Sequence, residues 1–173
     1  IDVRSTGFNI GGENSGDGIV IDLSLMRGVR VLPGRRAARI EGGASGGDLQ
    51  IEAGQHRLGA ATGVLSGSGV GLMLGGGLGY LTSRIGWASE NILAIELVTA
   101  SGEVVTASAD ENQDLFWAVR GSTGNFGVVT ALEVRLHEVP PLVRSAAFTW
   151  SLETLGGRSR SCARFPSGRL RTS

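Results

Sequence analysis

Lysine is absent from this chain of 173 residues. All 16 basic residues are arginine, and 16 acidic residues bring the formal net charge to zero. That balance removes the electrostatic footprint of a general nucleic-acid binder, and the arginine-only usage reads as genomic base composition before function. Cysteine is nearly absent too: Cys162 stands alone, which excludes an internal disulfide or a zinc cluster. No apolar run is long enough to cross a membrane as a helix. No signal peptide opens the chain, and no Asn-x-Ser/Thr acceptor occurs. From these absences we expect a cytoplasmic protein with no nucleic-acid, membrane or metal partner. Histidine is scarce as well, and His56 and His137, far apart in sequence, each read as a surface or packing residue.

Glycine is what the chain has in excess, with 29 residues spread as punctuation rather than as a collagen repeat. A hydrophobic content of 41% against 18% charged predicts a folded domain with a real core. The glycines concentrate between Gly67 and Tyr80, where seven of fourteen positions are glycine, interleaved with Val70, Leu72, Met73 and Leu74. Backbone without Cβ atoms can lie close to a ligand, and amides in such a loop can bind phosphate. The apolar residues between the glycines favour an ordered, buried segment over a flexible turn. No Gly-Lys-Ser/Thr follows and G-x-G-x-x-G fits in no register, which argues against Walker and Rossmann sites.

Around that stretch the pattern predicts an α+β domain to about residue 140. Ile1-Asp2-Val3 reads as the end of a strand whose earlier residues are missing, and residues 4–9 as the loop leaving it. A buried strand follows over 18–23, then short strands over 29–32 and 37–41 joined through Pro33-Gly34. Ser45 and Asp48 form a capping pair for a helix, with Leu49, Ala53 and Ile51 as its buried face. Residues 59–71 read as loop, and a helix over 75–85 would place Leu78, Leu81 and Ile85 on one side. A hairpin pairs a strand over 92–99 with one over 103–106 across Ser101-Gly102. Asp110 is expected to cap a helix over 111–120, with Phe116 and Trp117 in its core and Gly121 as its stop. A second glycine loop over 122–127 leads into a strand over 128–136. From Gly156 onward there are five arginines and no acid; residues 141–173 read as the start of a substrate domain or as a non-native or solvated basic tail of low helix and strand content.

Four collinear blocks resemble one family. Val3-Arg4-Ser5-Thr6-Gly7-Phe8-Asn9 resembles V-R-S-G-G-H-N. Residues 74–79, then Arg84, Gly86 and Glu90-Asn91-Ile92-Leu93, resemble L-G-G-G-x-G … R-x-G … D-N-L-L. Asp114-Leu115-Phe116-Trp117-Ala118-Val119-Arg120-Gly121 resembles D-L-F-W-A-L-R-G, and Gly124-Asn125-Phe126-Gly127-Val128-Val129-Thr130 resembles G-N-F-G-V-V-T. Together they are similar to the PCMH-type FAD-binding domain of the berberine-bridge-enzyme-like oxidases, a branch of the vanillyl-alcohol-oxidase flavoproteins.

The resemblance implies a fold of two α+β subdomains with FAD between them, the first subdomain being incomplete here. It implies that Arg4, Ser5, Thr6, Gly7, Phe8 and Asn9 wrap the pyrophosphate and flavin side. Ser66, Gly67, Ser68, Gly69 and Gly71 would pass along the other side, with Gly76, Gly77 and Asn91 near the cofactor. Gly124, Asn125, Phe126, Gly127, Val128 and Val129 would face the isoalloxazine or the adenylate. Arg120 is open between a structural ion pair and a cofactor role. Relatives that attach flavin covalently use a histidine in the first loop and in some cases a cysteine in the middle loop. This chain has Phe8 and Val64 there, so non-covalent FAD is expected. No catalytic residue is carried over, because the family's base belongs to a substrate domain; Tyr80, the only tyrosine, sits in the cofactor-binding part. The function implied is that of an FAD-dependent oxidase passing a hydride from a small-molecule C–H to flavin, with oxygen as a possible acceptor and little activity in this segment alone. A non-catalytic FAD- or nucleotide-binding module and a ligand-free α+β domain are the alternatives.

Overall fold

A computed structural model describes residues 1–9, 18–122 and 124–140. The chain divides into two units, Ile1–Pro141 and Leu142–Ser173. The second, with the expectation of a poorly structured tail, lies outside the described residues. No helix among the described residues is long and apolar enough to cross a membrane.

The organising strand is β8 (Val128–Glu138), the longest among the described residues. Its alternation buries Leu132, Val134 and Leu136 while Glu133 and Arg135 face outward, the pattern of a sheet with one face in the core. On one edge it pairs antiparallel with β6 (Ile92–Val98). On the other it pairs with β4 (Ala37–Glu41), then with the short β5 (Leu58–Ala60). β3 (Val29–Leu32) and β7 (Val104–Ser108) extend the path to the order β3-β4-β8-β6-β7. Ile40, Leu49, Ile95, Leu97, Leu132, Val134 and Leu136 are the largest fully buried side chains, so the core lies under this sheet. The outward face carries ion pairs, Arg35 to Glu133 at 2.9 Å and Arg39 to Glu96 at 3.0 Å. The Thr130 hydroxyl donates to Glu96 at 2.7 Å. That hydrogen bond, with Arg39, outweighs partial burial and holds the Glu96 carboxyl below the usual glutamate range.

The helix α1 (Gly46–Gly54) packs beside β5 and β3. Its N-terminus closes a full capping box: Asp48 N donates to Ser45 Oγ at 3.1 Å and Ser45 N to Asp48 Oδ2 at 2.9 Å. Leu49 and Ala53 are buried as the period requires, but Ile51 is exposed because it falls on the opposite face.

A separate parallel pair, β1 (Asp2–Arg4) with β2 (Val20–Asp22), forms the second sheet. The strand expected over 18–23 is thus three residues long, and it is not buried: Ile19 and Val20 are exposed because nothing described covers the outer face of this pair.

Three other expectations are corrected. Residues 59–71 are not all loop, since Gly59 and Ala60 belong to β5 and Val70 and Gly71 open the helix α2 (Val70–Leu74). The helix expected over 75–85 shrinks to one turn, α3 (Thr82–Ile85). Gly76 and Gly77 take φ of +133° and +73°, which no helix tolerates, and Leu78 is exposed. The helix α4 (Gln113–Val119) starts later than expected. Ser108 Oγ accepts the Asp110 and Glu111 amides at 3.2 Å each, so the chain turns there instead of coiling. Within α4, Phe116 enters the core but Trp117, one step round the helix, is 77% exposed and not a core residue.

Candidate functional site

Two glycine-bearing segments meet beside the parallel pair. Leu23 N donates to Arg4 O at 2.8 Å and Ser5 Oγ donates to Gly42 O at 2.5 Å, anchoring the loop that leaves β1. Gly7, at φ +72°, turns that loop, and Asn9 N closes it on Gly7 O at 2.9 Å. The second segment is held from behind by α1. The amides of Gly46 and Gly47 donate to Ser68 O at 2.7 Å and Ser66 O at 2.8 Å. Two of the first-turn donors that a helix leaves without internal partners are therefore used to fix this loop. Ser68 is buried and its Oγ donates to Leu65 O at 2.5 Å.

Between the segments lies a cleft of about 660 Å³, within the usual range for small-molecule sites. Val3, Ser5, Thr6, Gly7, Phe8 and Asn9 form one wall; Val64, Leu65, Ser68, Gly69, Gly71, Leu72 and Leu78 form the other. None of these side chains titrates near neutrality. Phe8 and Val64, half-exposed at 50% and 47%, line the same cleft although 56 positions apart in sequence. Phe8 also lies over Gly67: a Cβ there would stand 3.4 Å from the ring.

A second cleft of about 360 Å³ opens on the other side of Ser5 and Gly71. It is bordered by Leu23, Gly42, Leu74, Leu97, Val119 and Val129 and, at its far side, by Gly124, Asn125, Phe126 and Gly127. Val3, Ser5 and Gly71 belong to both linings. Gly71 and Gly124 would each carry a Cβ into open space, and neither has a left-handed φ. The fold therefore does not require glycine at either position, whereas a ligand lying against this backbone would. This is the observation by which the site fits an extended, phosphate-bearing cofactor.

The structure thus brings together Ser5–Asn9 with Ser68, Gly69 and Gly71, and Ser5 and Gly71 with 124–127 and Val129. Arg4, Ser66, Gly67 and Val128 are next to these walls in sequence but line neither cleft. Gly76, Gly77 and Asn91 lie outside both linings as well. Arg120 stacks on its own helix, its guanidinium carbon 4.0 Å from the Phe116 ring centroid and its Nε donating to Phe116 O at 3.3 Å. Sequence reasoning did not pick out Leu65, Leu72 and Leu78 as wall residues. The triple glycine at 75–77 was the available signal that Leu78 does not continue a helix. Among the described residues, no group of three or more His, Cys, Asp or Glu side chains is placed to hold a metal ion.

Residues 1–108 match the family model described as an FAD binding domain. The chain is 48% identical over 153 residues to (R)-6-hydroxynicotine oxidase of Paenarthrobacter nicotinovorans, covering 87% of this chain and 33% of that protein. The crystal structure of 6-hydroxy-D-nicotine oxidase from Arthrobacter nicotinovorans superposes with a TM-score of 0.77 at 48% identity, over 80% of this chain and 31% of that one. Xylooligosaccharide oxidase from Myceliophthora thermophila, solved with xylobiose, also gives 0.77, at 32% identity over 80% and 30%. The chain spans about a third of the length of the relatives it matches.

Proposed function

The chain belongs to the FAD-binding domain family and has the α+β fold of the PCMH-type FAD-dependent oxidoreductases, and from that premise we propose that it holds FAD across its two clefts for an oxidase acting on a small molecule. The pair of clefts meeting at Ser5 and Gly71 carries this reading. A dinucleotide has two bulky ends and a charged middle, and the site has a larger, mainly apolar cleft and a smaller, mixed one that share the Ser5 hydroxyl and the bare backbone of Gly71.

The ends can be told apart. By the family resemblance, Phe8 and Val64 stand where relatives with tethered flavin carry histidine and cysteine, and both line the larger cleft. The isoalloxazine belongs there and the adenylate belongs beside Asn125 and Phe126. The Thr6 hydroxyl and the backbone amides of Gly69 and Gly71 would face the pyrophosphate, while Ser5 and Ser68, whose hydroxyl protons go to Gly42 O and Leu65 O, hold the two walls in place. Such groups are fixed before the ligand arrives and cost no reorganisation.

When bound, FAD supplies a two-electron acceptor for a hydride leaving a substrate C–H. The residues of this chain bind and orient it, and the apolar walls exclude water from one side. Phenylalanine has no ring nitrogen and valine no thiolate to form a bond to the flavin, so the cofactor is held by packing and hydrogen bonds alone. Oxygen is the acceptor we expect for the reduced flavin, and the substrate is a small molecule.

Saturating the protein with FAD and recording its visible spectrum after gel filtration tests the reading. A retained flavin spectrum is expected; loss of all flavin would overturn it. Acid precipitation of the yellow protein should then release the colour to the supernatant. Flavin that stays on the polypeptide would refute the non-covalent assignment.

A further inference from the structure

Asn91 is 5% exposed and lines neither cleft, yet its amide is fully engaged. Nδ2 donates both protons, to Ile85 O at 2.9 Å and Trp87 O at 2.8 Å. The Oδ1 atom must then be an acceptor, and it stands 2.6 Å from His137 Nε2. The tautomer of His137 follows: Nε2 carries the proton and Nδ1 is the basic nitrogen. One side chain therefore ties the turn between α3 and β6 to the far end of β8.

That turn in turn holds the triple glycine. Ala88 N donates to Gly77 O at 3.2 Å and Ser89 N to Gly76 O at 2.9 Å. Contact is close enough that a Cβ on Gly77 would lie 2.4 Å from Ala88 Cβ. The next residue, Leu78, is in the wall of the larger cleft. A continuous set of hydrogen bonds thus runs from His137 through Asn91 and the 85–89 turn to the backbone that places Leu78.

We infer that Asn91 and His137 form a brace that fixes the Gly76–Gly77 backbone, so that Asn91 serves the flavin cleft as a positioning residue and not as a cofactor ligand. The inference rests on the FAD reading for its effect on binding, but the brace itself can be measured without the cofactor.

The test uses the intact protein, wild type and three variants, with FAD affinity and amide hydrogen exchange at Ala88 and Ser89 as paired readouts. His137→Ala removes the donor to Asn91; exchange at both amides should accelerate and FAD affinity fall by roughly five- to tenfold, the usual worth of one hydrogen bond. His137→Gln, whose amide can donate in place of Nε2, should restore most of both. Asn91→Asp cannot donate to the Ile85 and Trp87 carbonyls and should show both defects. Unchanged exchange in His137→Ala, failure of His137→Gln to improve on it, or an Asn91→Asp protein with weakened FAD binding but wild-type exchange would each overturn the inference, the last by showing direct contact. If the wild type binds no FAD while the exchange pattern holds, the flavin reading falls and the brace stands.

Discussion

Leu132 in β8 and Leu78 in the cleft wall are the same side chain in two settings, 1% and 56% exposed. Around Leu132 the antiparallel sheet is complete: both strand edges are paired, and its apolar face is packed against Ile40, Ile95 and Leu97 in one contiguous core. Beside Leu78 the backbone of Gly76 and Gly77 is tied to the 85–89 turn, but the apolar groups of Phe8, Val64, Leu65 and Leu72 line an open cleft. One region spends its hydrophobic surface on folding. The other holds it in reserve for something the described residues do not supply. A contiguous exposed apolar cleft, unlike a scattered surface leucine, marks a binding site.

That contrast can be broken by substitution. The largest effect on stability should come from Leu132→Ala, which leaves a cavity in the sheet core and should cost about 2–5 kcal/mol in urea unfolding. Leu78→Ala, the same truncation in the cleft wall, should stay within about 0.5 kcal/mol of wild type without ligand. Equal losses at the two sites would erase the distinction. Next, Gly71→Leu should leave unfolding of the FAD-free protein nearly unchanged, because a Cβ there meets nothing within 4 Å. It should weaken FAD binding by roughly a hundredfold or more by filling the junction of the two clefts, a loss of about 3 kcal/mol. A Gly71→Leu protein that binds FAD normally would show that the backbone there faces no ligand. Phe8→Ala should weaken FAD retention about two- to tenfold, the range for losing one aromatic contact of about 0.5–1.5 kcal/mol, again with little change in unfolding.

The smallest effect separates the regions by pH. Burial, with the charges of Arg135 and Arg84, holds His137 below its ordinary pKa of 6.5 in the folded chain. The unfolded chain then binds the proton more readily, so stability is full above about 6.5 and declines as pH falls below it. Glu96 and Asp48 lose their contributions only further down. Both carboxyls are depressed in the folded state, Asp48 because the Ser45 amide and Arg27 outweigh its partial burial. His137→Gln should remove the first decline and leave the second, as urea midpoints measured from pH 8 to pH 3 will show.

Local features of the sequence were legible. The partners of the Ser45–Asp48 box stand three positions apart, and the box folds as read. So does the hairpin of β6 and β7, since Ser101-Gly102 sits between two β-branched runs. What escaped the sequence depends on contacts distant in the chain. β5 is a three-residue strand only because β8 runs on past β4 far enough to pair with it. Residues 75–85 carry a helical apolar period, but Gly77 lies against Ala88, and a Cβ on Gly79 would fall 2.0 Å from the Thr62 carbonyl oxygen. Those approaches fix an extended, glycine-only path. Trp117 is exposed because adjacent helical positions point about 100° apart and only the Phe116 face of α4 meets the core. In the site, the motif blocks pointed to the glycine loops and the resemblance set Phe8 and Val64 beside one ligand, yet only the fold could show Leu65 and Leu78 in the same wall or where the amide of Asn91 is used.

On the FAD reading, the wall shared by Val3, Ser5 and Gly71 would make the site bivalent. A ligand with two ends joined by a short linker seats one end and thereby confines the other within a few ångströms of its own pocket. The second end then binds from an effective concentration in the millimolar range, and the freedom lost on association is lost once, not twice. Either half offered as a separate molecule fills one cleft and forfeits that advantage, even though every contact it makes is the same. A change at the far end of one cleft weakens one half of the ligand; a change at the shared wall acts on both halves and on the link between them.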